Sequence, residues 1–227
     1  MLKSLRRAAL ASVITFTLPG VAMADGLKVV ASFSIIGDFA RNIGGDRVTI
    51  TTLVGPDGDA HVYEPKPADA ASVSGADVVL VNGLQFEGFL KRLVEASGTR
   101  APIVELTKGA EVLKASEEEN HHGEGEHKEA EDGHDAEEEH VGEDGHDHGA
   151  FDPHAWQSVH NAEIYVKNIA DAFCAADAAG CDTYKANAAV YGEKLEALDQ
   201  EIKAAVEGIP AEKRTIITSH DAFGYFE

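Results

Sequence analysis

Residues 116–149 cannot build a hydrophobic core, so the fold must be built from the chain on either side of them. This segment holds seven of the eleven histidines, fifteen acidic residues and one lysine, and Val141 is its one large apolar residue. Such a composition predicts a solvated, mobile loop. Imidazole is a common ligand of transition metals, so the loop predicts auxiliary, low-affinity metal binding; a charged linker that happens to contain histidine is the alternative. The seven histidines are His121, His122, His127, His134, His140, His146 and His148.

The N-terminus has the pattern of an export signal. Lys3, Arg6 and Arg7 precede an apolar run over residues 8–18, and Ala-Met-Ala at residues 22–24 matches a small-x-small cleavage site. The run is too short to cross a membrane, and no cysteine stands at the cleavage point to carry a lipid. We therefore expect a soluble, exported protein, with the bacterial periplasm as its compartment.

Charge and cysteine content narrow the classes of partner. The formal net charge is −21, most of it in the loop, and the remainder has no basic stripe, which excludes nucleic acid as an expected partner. Cys174 and Cys181 lie close in sequence. In an oxidising compartment they favour a short disulfide, and a metal-binding pair is the rival interpretation.

Short apolar strands alternate with helical segments on the N-terminal side of the loop. This alternation predicts an α/β fold with a parallel sheet. The predicted strands are residues 27–33, 47–54, 77–81 and 103–106, and the predicted helices are residues 35–43, 67–73 and 86–94.

Helical periodicity returns after Trp156 and then continues through a longer element. Apolar residues at three-four spacing from Tyr184 to Ile209 predict a helix of about 26 residues that ends at Gly208 and Pro210. Such a helix either joins two lobes or lies along the surface of one domain. Residues 214–218 have the composition of a further strand. One strand cannot build a sheet, so we expect a truncated sequence that only begins a second α/β lobe.

Three histidines outside the loop share a structural context. His61 follows a predicted strand and a Gly-Pro-Asp-Gly turn, His154 precedes a predicted helix, and His220 ends a predicted strand. Ligands of open α/β sheets gather at the carboxyl ends of strands, so these imidazoles can converge on one point. Three nitrogens with a carboxylate or a water would form a tetrahedral zinc site. Taken singly, each histidine could equally be a hydrogen-bonded loop residue.

Three motifs surround these histidines: Gly-Pro-Asp-Gly-Asp-Ala-His-Val-Tyr-Glu-Pro at residues 55–65, Asp-Pro-His-Ala-Trp at 152–156 and Ser-His-Asp-Ala-Phe-Gly-Tyr-Phe at 219–226. They resemble the motifs of the periplasmic metal-binding subunits of ATP-binding-cassette importers, and most closely those of the ZnuA-like zinc proteins. A histidine-rich acidic loop before the second motif is typical of the zinc members of that family.

The resemblance implies two parallel-sheet lobes joined by a long rigid helix, with one metal ion in the cleft. It assigns His61 and His154 to the first lobe and His220 to the start of the second. Manganese- and iron-type relatives often carry a carboxylate at the third position, so His220 favours zinc. Ala60 stands where some zinc members carry a glutamate, and this leaves the fourth ligand undefined.

The resulting division of the chain has four parts. They are a signal peptide (residues 1–24), an N-terminal α/β lobe (25–180) that contains the disordered loop (115–149), a linker helix (181–210) and the start of a truncated second lobe (211–227). The nearby carboxylates could either orient the histidines or cap turns, and His160 is expected to be structural or exposed. These carboxylates are Asp59, Glu64, Asp152 and Asp221.

These features predict high-affinity capture of Zn²⁺ as a transported ligand and its delivery to a membrane permease. A periplasmic zinc chaperone would be an additional partner. The alternatives are a manganese- or iron-type receptor of the same family and a zinc buffer or chaperone in which the loop is the main activity. A zinc hydrolase would also use three histidines and a water. The sequence argues against an enzyme, because it has no His-Glu-x-x-His helix and no nucleophile elbow.

Overall fold

A computed structural model describes residues 26–115, 149–218 and 220–226 of the 227-residue chain. The predicted signal peptide, and the predicted loop with its seven histidines, lie outside the described residues, apart from the loop's flanking positions. Both therefore remain predictions.

Four parallel strands form one sheet. They lie in the order β2–β1–β3–β4, and the register pairs Leu27 with Val48, Val29 with Val78 and Val79 with Ile103. The chain runs from β1 outwards to β2 and then returns past β1 to β3. This reversal of direction leaves a crevice at the carboxyl ends of β1 and β3, where open α/β sheets bind ligands. The strands are β1 (Leu27–Phe33), β2 (Val48–Val54), β3 (Val78–Val81) and β4 (Ile103–Glu105).

The described part of the chain has five helices, of which α5 packs on α1 and α4. Right-handed crossovers place the helix after β1 on one face and the helices after β2 and β3 on the other. The packing agrees, because α1 contacts α4 and α5, whereas α2 contacts α3. The helices are α1 (Ser34–Gly44), α2 (Pro67–Ser74), α3 (Leu90–Ser97), α4 (Val159–Ala176) and α5 (Cys181–Glu207). The predicted α/β fold with a parallel sheet and a long helix is thus confirmed.

The core lies between the sheet and α4. All four residues of β3 are buried, and α4 contacts both β3 and β4. Ile36 of α1 and Tyr165, Ile169 and Phe173 of α4 are fully buried. Each fully buried aliphatic or aromatic side chain stabilises the fold by about 1.5–3 kcal/mol. The apolar periodicity of α4 therefore determines which face of this helix is held against the strands.

The 27 residues of α5 extend well beyond this core, over about 40 Å. In its first half, Asn187 Nδ2 donates to the Ile43 carbonyl oxygen at 2.9 Å. A disulfide between Cys174 and Cys181 joins the end of α4 to its start. Farther along α5, Leu198 is 45% exposed, and Ile209, two residues after the helix, is 42% exposed. The predicted long helix is present, and its role as a linker stays a prediction. None of the described helices is both long and apolar enough to cross a membrane.

Residues 214–218 are not a strand, so this part of the sequence prediction is wrong. They are exposed and carry no strand hydrogen bonding. A strand needs a hydrogen-bonded neighbour, and no described segment pairs with these residues. Their β-branched composition is therefore not sufficient to form a strand in the described part of the chain.

The predicted helix at residues 86–94 begins four residues late, because a tight turn follows β3. Gly83, Leu84 and Gln85 have φ values of 91°, 53° and 62°. This left-handed conformation is uncommon for residues other than glycine. The buried carboxylate of Glu87 accepts hydrogen bonds from Ser32 Oγ at 2.5 Å and from the amides of Asn82 and Gly83 at 2.7 and 3.3 Å. These bonds hold the turn and delay the start of α3.

The two chain segments that flank residues 116–148 are hydrogen-bonded to each other. The Asp152 amide donates to the Leu113 carbonyl at 3.0 Å, and the Ala115 amide donates to the Ala150 carbonyl at 3.2 Å. Lys114 and Phe151 form an antiparallel bridge between these two contacts. The two described segments on either side of these residues therefore lie side by side, and the second begins three residues before the Asp-Pro-His motif.

Glu87 generates a prediction about pH and stability. Burial raises the pKa of Glu87, and the hydrogen bonds from Ser32, Asn82 and Gly83 oppose that rise only in part. The folded state then holds the proton more tightly than the unfolded chain, so the Glu87 contribution to stability falls as pH rises from about 4.3 through the raised folded-state value. Each unit of pKa difference corresponds to about 1.4 kcal/mol.

Glu87→Gln removes this titration. We expect the unfolding free energy of the wild type minus that of the variant to decrease between pH 4 and pH 7. Urea unfolding of both proteins at several pH values measures this difference. A difference that increases with pH would show that the hydrogen bonds, and not burial, dominate the ionisation of Glu87.

Candidate metal centre

The three histidines of the sequence motifs come from three separate parts of the fold. His61 lies in the connection between β2 and α2, and His154 directly precedes the short 3₁₀ turn Ala155–Gln157 that leads into α4. His220 lies in the segment that follows α5. These segments meet at the carboxyl edge of the sheet, next to Phe33, which is the last residue of β1.

The structure brings the three imidazoles together. The Nε2 atom of His154 lies 3.2 Å from Nε2 of His61 and 3.0 Å from Nε2 of His220. One ring nitrogen from each histidine lies within 4.8 Å of the other two. Metal–nitrogen bonds of about 2.0–2.1 Å in a tetrahedral site separate two ligand nitrogens by roughly 3.3 Å. The observed spacing is therefore close to that of three ligands around one ion.

Asp152 orients the central imidazole. Its Oδ1 atom lies 2.7 Å from Nδ1 of His154 and also accepts the His154 amide at 2.9 Å. A proton on Nδ1 then leaves the Nε2 lone pair directed at the other two rings. Burial alone would raise the pKa of Asp152, but the hydrogen bonds from the His154 ring and amide outweigh it, so that pKa lies below its usual value. The carboxylate is therefore kept ionised beside the ring.

The first histidine packs against an aromatic wall. The ring of His61 meets the ring of Phe86 edge-on at 4.7 Å, and the rings of Phe33 and Trp156 lie 5.1 and 4.7 Å from Phe86. The ring of His154 lies 5.3 Å from Trp156. An apolar wall on one side restricts water and strengthens electrostatic interactions at the nitrogens.

Exposure increases from one histidine to the next. His154 is 2% exposed, His61 is half-buried and His220 is exposed. Tyr225 helps to tie the His220 segment to the domain: its hydroxyl donates to the Asp152 carbonyl at 2.6 Å and accepts from the Leu113 amide at 3.0 Å. Among the described residues, His220 is therefore the most exposed of the three imidazoles.

The other predicted residues have different positions. Asp59 caps the turn by accepting the His61 amide at 2.8 Å. Asp152 contacts a histidine ring, as described above, whereas Glu64 and Asp221 are exposed. His160 is exposed on α4. The seven loop histidines lie outside the described residues.

Several residues of the site were not found from the sequence. Phe86 was predicted on the apolar face of a helix, yet it lies in the turn before α3 and contacts His61. Trp156 and Tyr225 belong to the motifs but were given no role. The signal that could have identified them is their position beside His154 and His220, together with the fact that Trp156 is the one tryptophan of the chain.

The sequence of this chain is similar to those of known metal-binding proteins. Residues 29–227 match the family described as ZnuA, zinc-uptake complex component A, periplasmic. The manganese-binding lipoprotein MntA of Halalkalibacterium halodurans is 36% identical over 202 residues, 89% of this chain and 57% of that protein. The iron-binding protein YfeA of Yersinia pestis is 32% identical over 231 residues, 97% of this chain and 65% of that protein.

A solved structure shows the same fold. The Mn-bound periplasmic metal-binding protein of Candidatus Liberibacter asiaticus superimposes with a TM-score of 0.68 at 32% identity, covering 88% of this chain and 64% of the other. The chain thus spans roughly three fifths of the length of these relatives. The relatives are named as metal-binding proteins and not as enzymes. On this evidence the chain belongs to the ZnuA family of periplasmic metal-binding proteins.

Proposed function

We propose that this chain captures a divalent transition-metal ion in the periplasm and delivers it to the permease of an ATP-binding-cassette importer. The ion that we propose first is zinc. The observation that carries the proposal is the spacing of about 3 Å between the Nε2 atom of His154 and those of His61 and His220. Membership of the ZnuA family supports the transport role. The ion is cargo, so the site needs no activated water and no general base.

Zinc is the ion that this donor set suits best. Imidazole nitrogens suit zinc, copper, iron and nickel, whereas manganese favours carboxylate, carbonyl and water oxygens. The three-residue group contains no carboxylate, and the neighbouring Asp152 is engaged with Nδ1 of His154. A water or a further protein oxygen would complete four-coordination.

A manganese or iron receptor is the second candidate. It is favoured by the names of the relatives, which specify manganese and iron. A tighter affinity for zinc would not separate the two candidates, since zinc exceeds manganese at most nitrogen and oxygen sites. Coordination geometry is the better criterion. Co²⁺ can replace Zn²⁺ as a spectroscopic probe, and intense visible absorption of the bound ion indicates four-coordination, whereas weak bands indicate a six-coordinate site of the manganese type.

The histidines of residues 116–149 are proposed as auxiliary, weaker metal sites. The described residues at both ends of this segment lie beside Asp152, so the segment is attached to the chain next to the three-histidine group. Ions bound by the segment could be concentrated near the cleft before capture. A zinc buffer, in which these histidines are the main activity, would show weak binding only.

The first prediction concerns the central ligand. We expect His154→Ala to weaken the tight binding of one Zn²⁺ by at least 100-fold, because the buried nitrogen shared by both short contacts is lost. His160→Ala is the matched control, since His160 is six residues away and exposed on α4. Isothermal titration calorimetry with Zn²⁺ on the metal-free full chain measures both variants. Equal weakening in the two, or none in His154→Ala, would contradict the proposed site.

The second prediction separates the tight site from the auxiliary sites. Deleting residues 116–149 should lower the total number of Zn²⁺ ions bound while leaving the tight event unchanged, because the three clustered imidazoles lie outside the deleted segment. The same calorimetric titration counts both classes of site. A deletion variant that bound no zinc would show that the segment itself provides the tight site.

A further inference from the structure

The residue that follows β3 is fully engaged in hydrogen bonds. Asn82 is 0% exposed. Its amide donates to Glu87 Oε1 at 2.7 Å, and its carbonyl accepts the Thr107 hydroxyl at 2.7 Å. In its side chain, Oδ1 accepts the Tyr165 hydroxyl at 2.6 Å, and Nδ2 donates to the carbonyls of Gly83 and Pro153 at 3.1 and 2.8 Å. Each polar group of Asn82 therefore has a partner.

The surroundings allow one orientation of the Asn82 amide. Two carbonyl oxygens, of Gly83 and Pro153, face one end of it, and a carbonyl can only accept. The NH₂ group must therefore point at them. The phenol of Tyr165 lies at the other end, where it donates to Oδ1. Since Asn82, Gly83 and Tyr165 are buried, a flipped amide would leave unpaired polar atoms and a large desolvation cost.

This amide connects the body of the domain to the loop that presents His154. Pro153 immediately precedes His154, so its carbonyl lies one peptide away from the proposed ligand. On the other side of the loop, Asp152 is held by the Leu113 carbonyl and the Tyr225 hydroxyl. The backbone before His154 is thus fixed from two directions, and Asn82 supplies the direction that comes from the sheet.

The same turn also reaches His61. Residues 83–85 have positive φ, a conformation that costs free energy for Leu84 and Gln85 and that persists only when the surroundings hold it. Glu87 holds it by accepting the amides of Asn82 and Gly83. This turn also positions Phe86, whose ring contacts His61. One strained turn therefore bears on two of the three imidazoles.

We infer that Asn82, oriented by Tyr165, is a positioning residue that sets the distance between His154 and His61 through the carbonyl of Pro153; this inference rests on the metal-binding function proposed above. Asn82 does not contact the ion. It acts by fixing the loop, in the way that outer partners of metal ligands commonly do.

Asn82→Asp tests this directly, because it keeps the shape of the side chain but places an oxygen opposite the Pro153 and Gly83 carbonyls. We expect the affinity of the tight Zn²⁺ site to fall about 10–100-fold, the range found for outer partners of metal ligands. Tyr165→Phe is a milder variant, which removes one hydroxyl and retains the ring. We expect a smaller loss of affinity in the same direction.

Tyr184→Phe is the matched control. Tyr184 is also fully buried, and its hydroxyl donates to Asp177 Oδ2 at 2.7 Å, at the junction of α4 and α5. A merely structural role would give Tyr165→Phe and Tyr184→Phe equal zinc affinities at similar melting temperatures. The positioning role requires that the Tyr165 variant alone loses affinity. The inference would be overturned if Tyr165→Phe and Tyr184→Phe bound Zn²⁺ equally well while Asn82→Asp either kept the wild-type affinity or failed to fold.

A second measurement needs no metal. Hydrogen exchange of the amides of His154 and Gln157, which donate to Asp152 Oδ1 and to the His154 carbonyl, reports the order of this loop in metal-free protein. We expect faster exchange in the Tyr165 variant and wild-type exchange in the Tyr184 variant. If the wild type bound no zinc, the proposed function would fail, while this comparison would still decide whether Asn82 and Tyr165 position the loop. Unchanged exchange in the Tyr165 variant would refute that role.

Discussion

A parallel sheet gathers the ends of its strands at one edge, and the candidate metal centre depends on that constraint. The order β2–β1–β3–β4 opens a crevice between the ends of β1 and β3. Phe33 ends β1, and the turn that contains Phe86 follows β3. His61 and His154 lie above these two aromatic residues. With a different strand order, the same motifs would be carried to distant places.

The three imidazoles differ in how firmly the described part of the chain holds them. His154 is buried, oriented by Asp152 and fixed through Pro153, whereas His220 is exposed on a segment tied down by Tyr225. The two better-held histidines lie 3.2 Å apart at Nε2. Preorganised ligands lose little conformational freedom on binding, which favours affinity.

Most of the helices and strands could be predicted because their signals are local. β1, β2, β3 and β4 lie within a residue or so of their predicted bounds, and α5 within three. Two errors share a physical cause. Residues 214–218 have the composition of a strand but no neighbour to pair with in the described chain. The start of α3 is displaced because the buried carboxylate of Glu87 satisfies the backbone of the preceding turn. In both cases, the hydrogen-bond partners of the backbone decided the outcome, and not the local propensity.

The sequence specifies which residues can form strands and helices and which can serve as ligands, because periodicity and motifs depend on residues that are neighbours in the chain. It identified His61, His154 and His220 as candidates, but it could not place their nitrogens within bonding distance of a common point. That meeting depends on the strand order, on the burial of Asn82 and Glu87 and on the tie made by Tyr225, each of which joins segments separated by many residues. Only the tertiary structure decided these contacts, because burial and hydrogen-bond partners are properties of the folded chain as a whole.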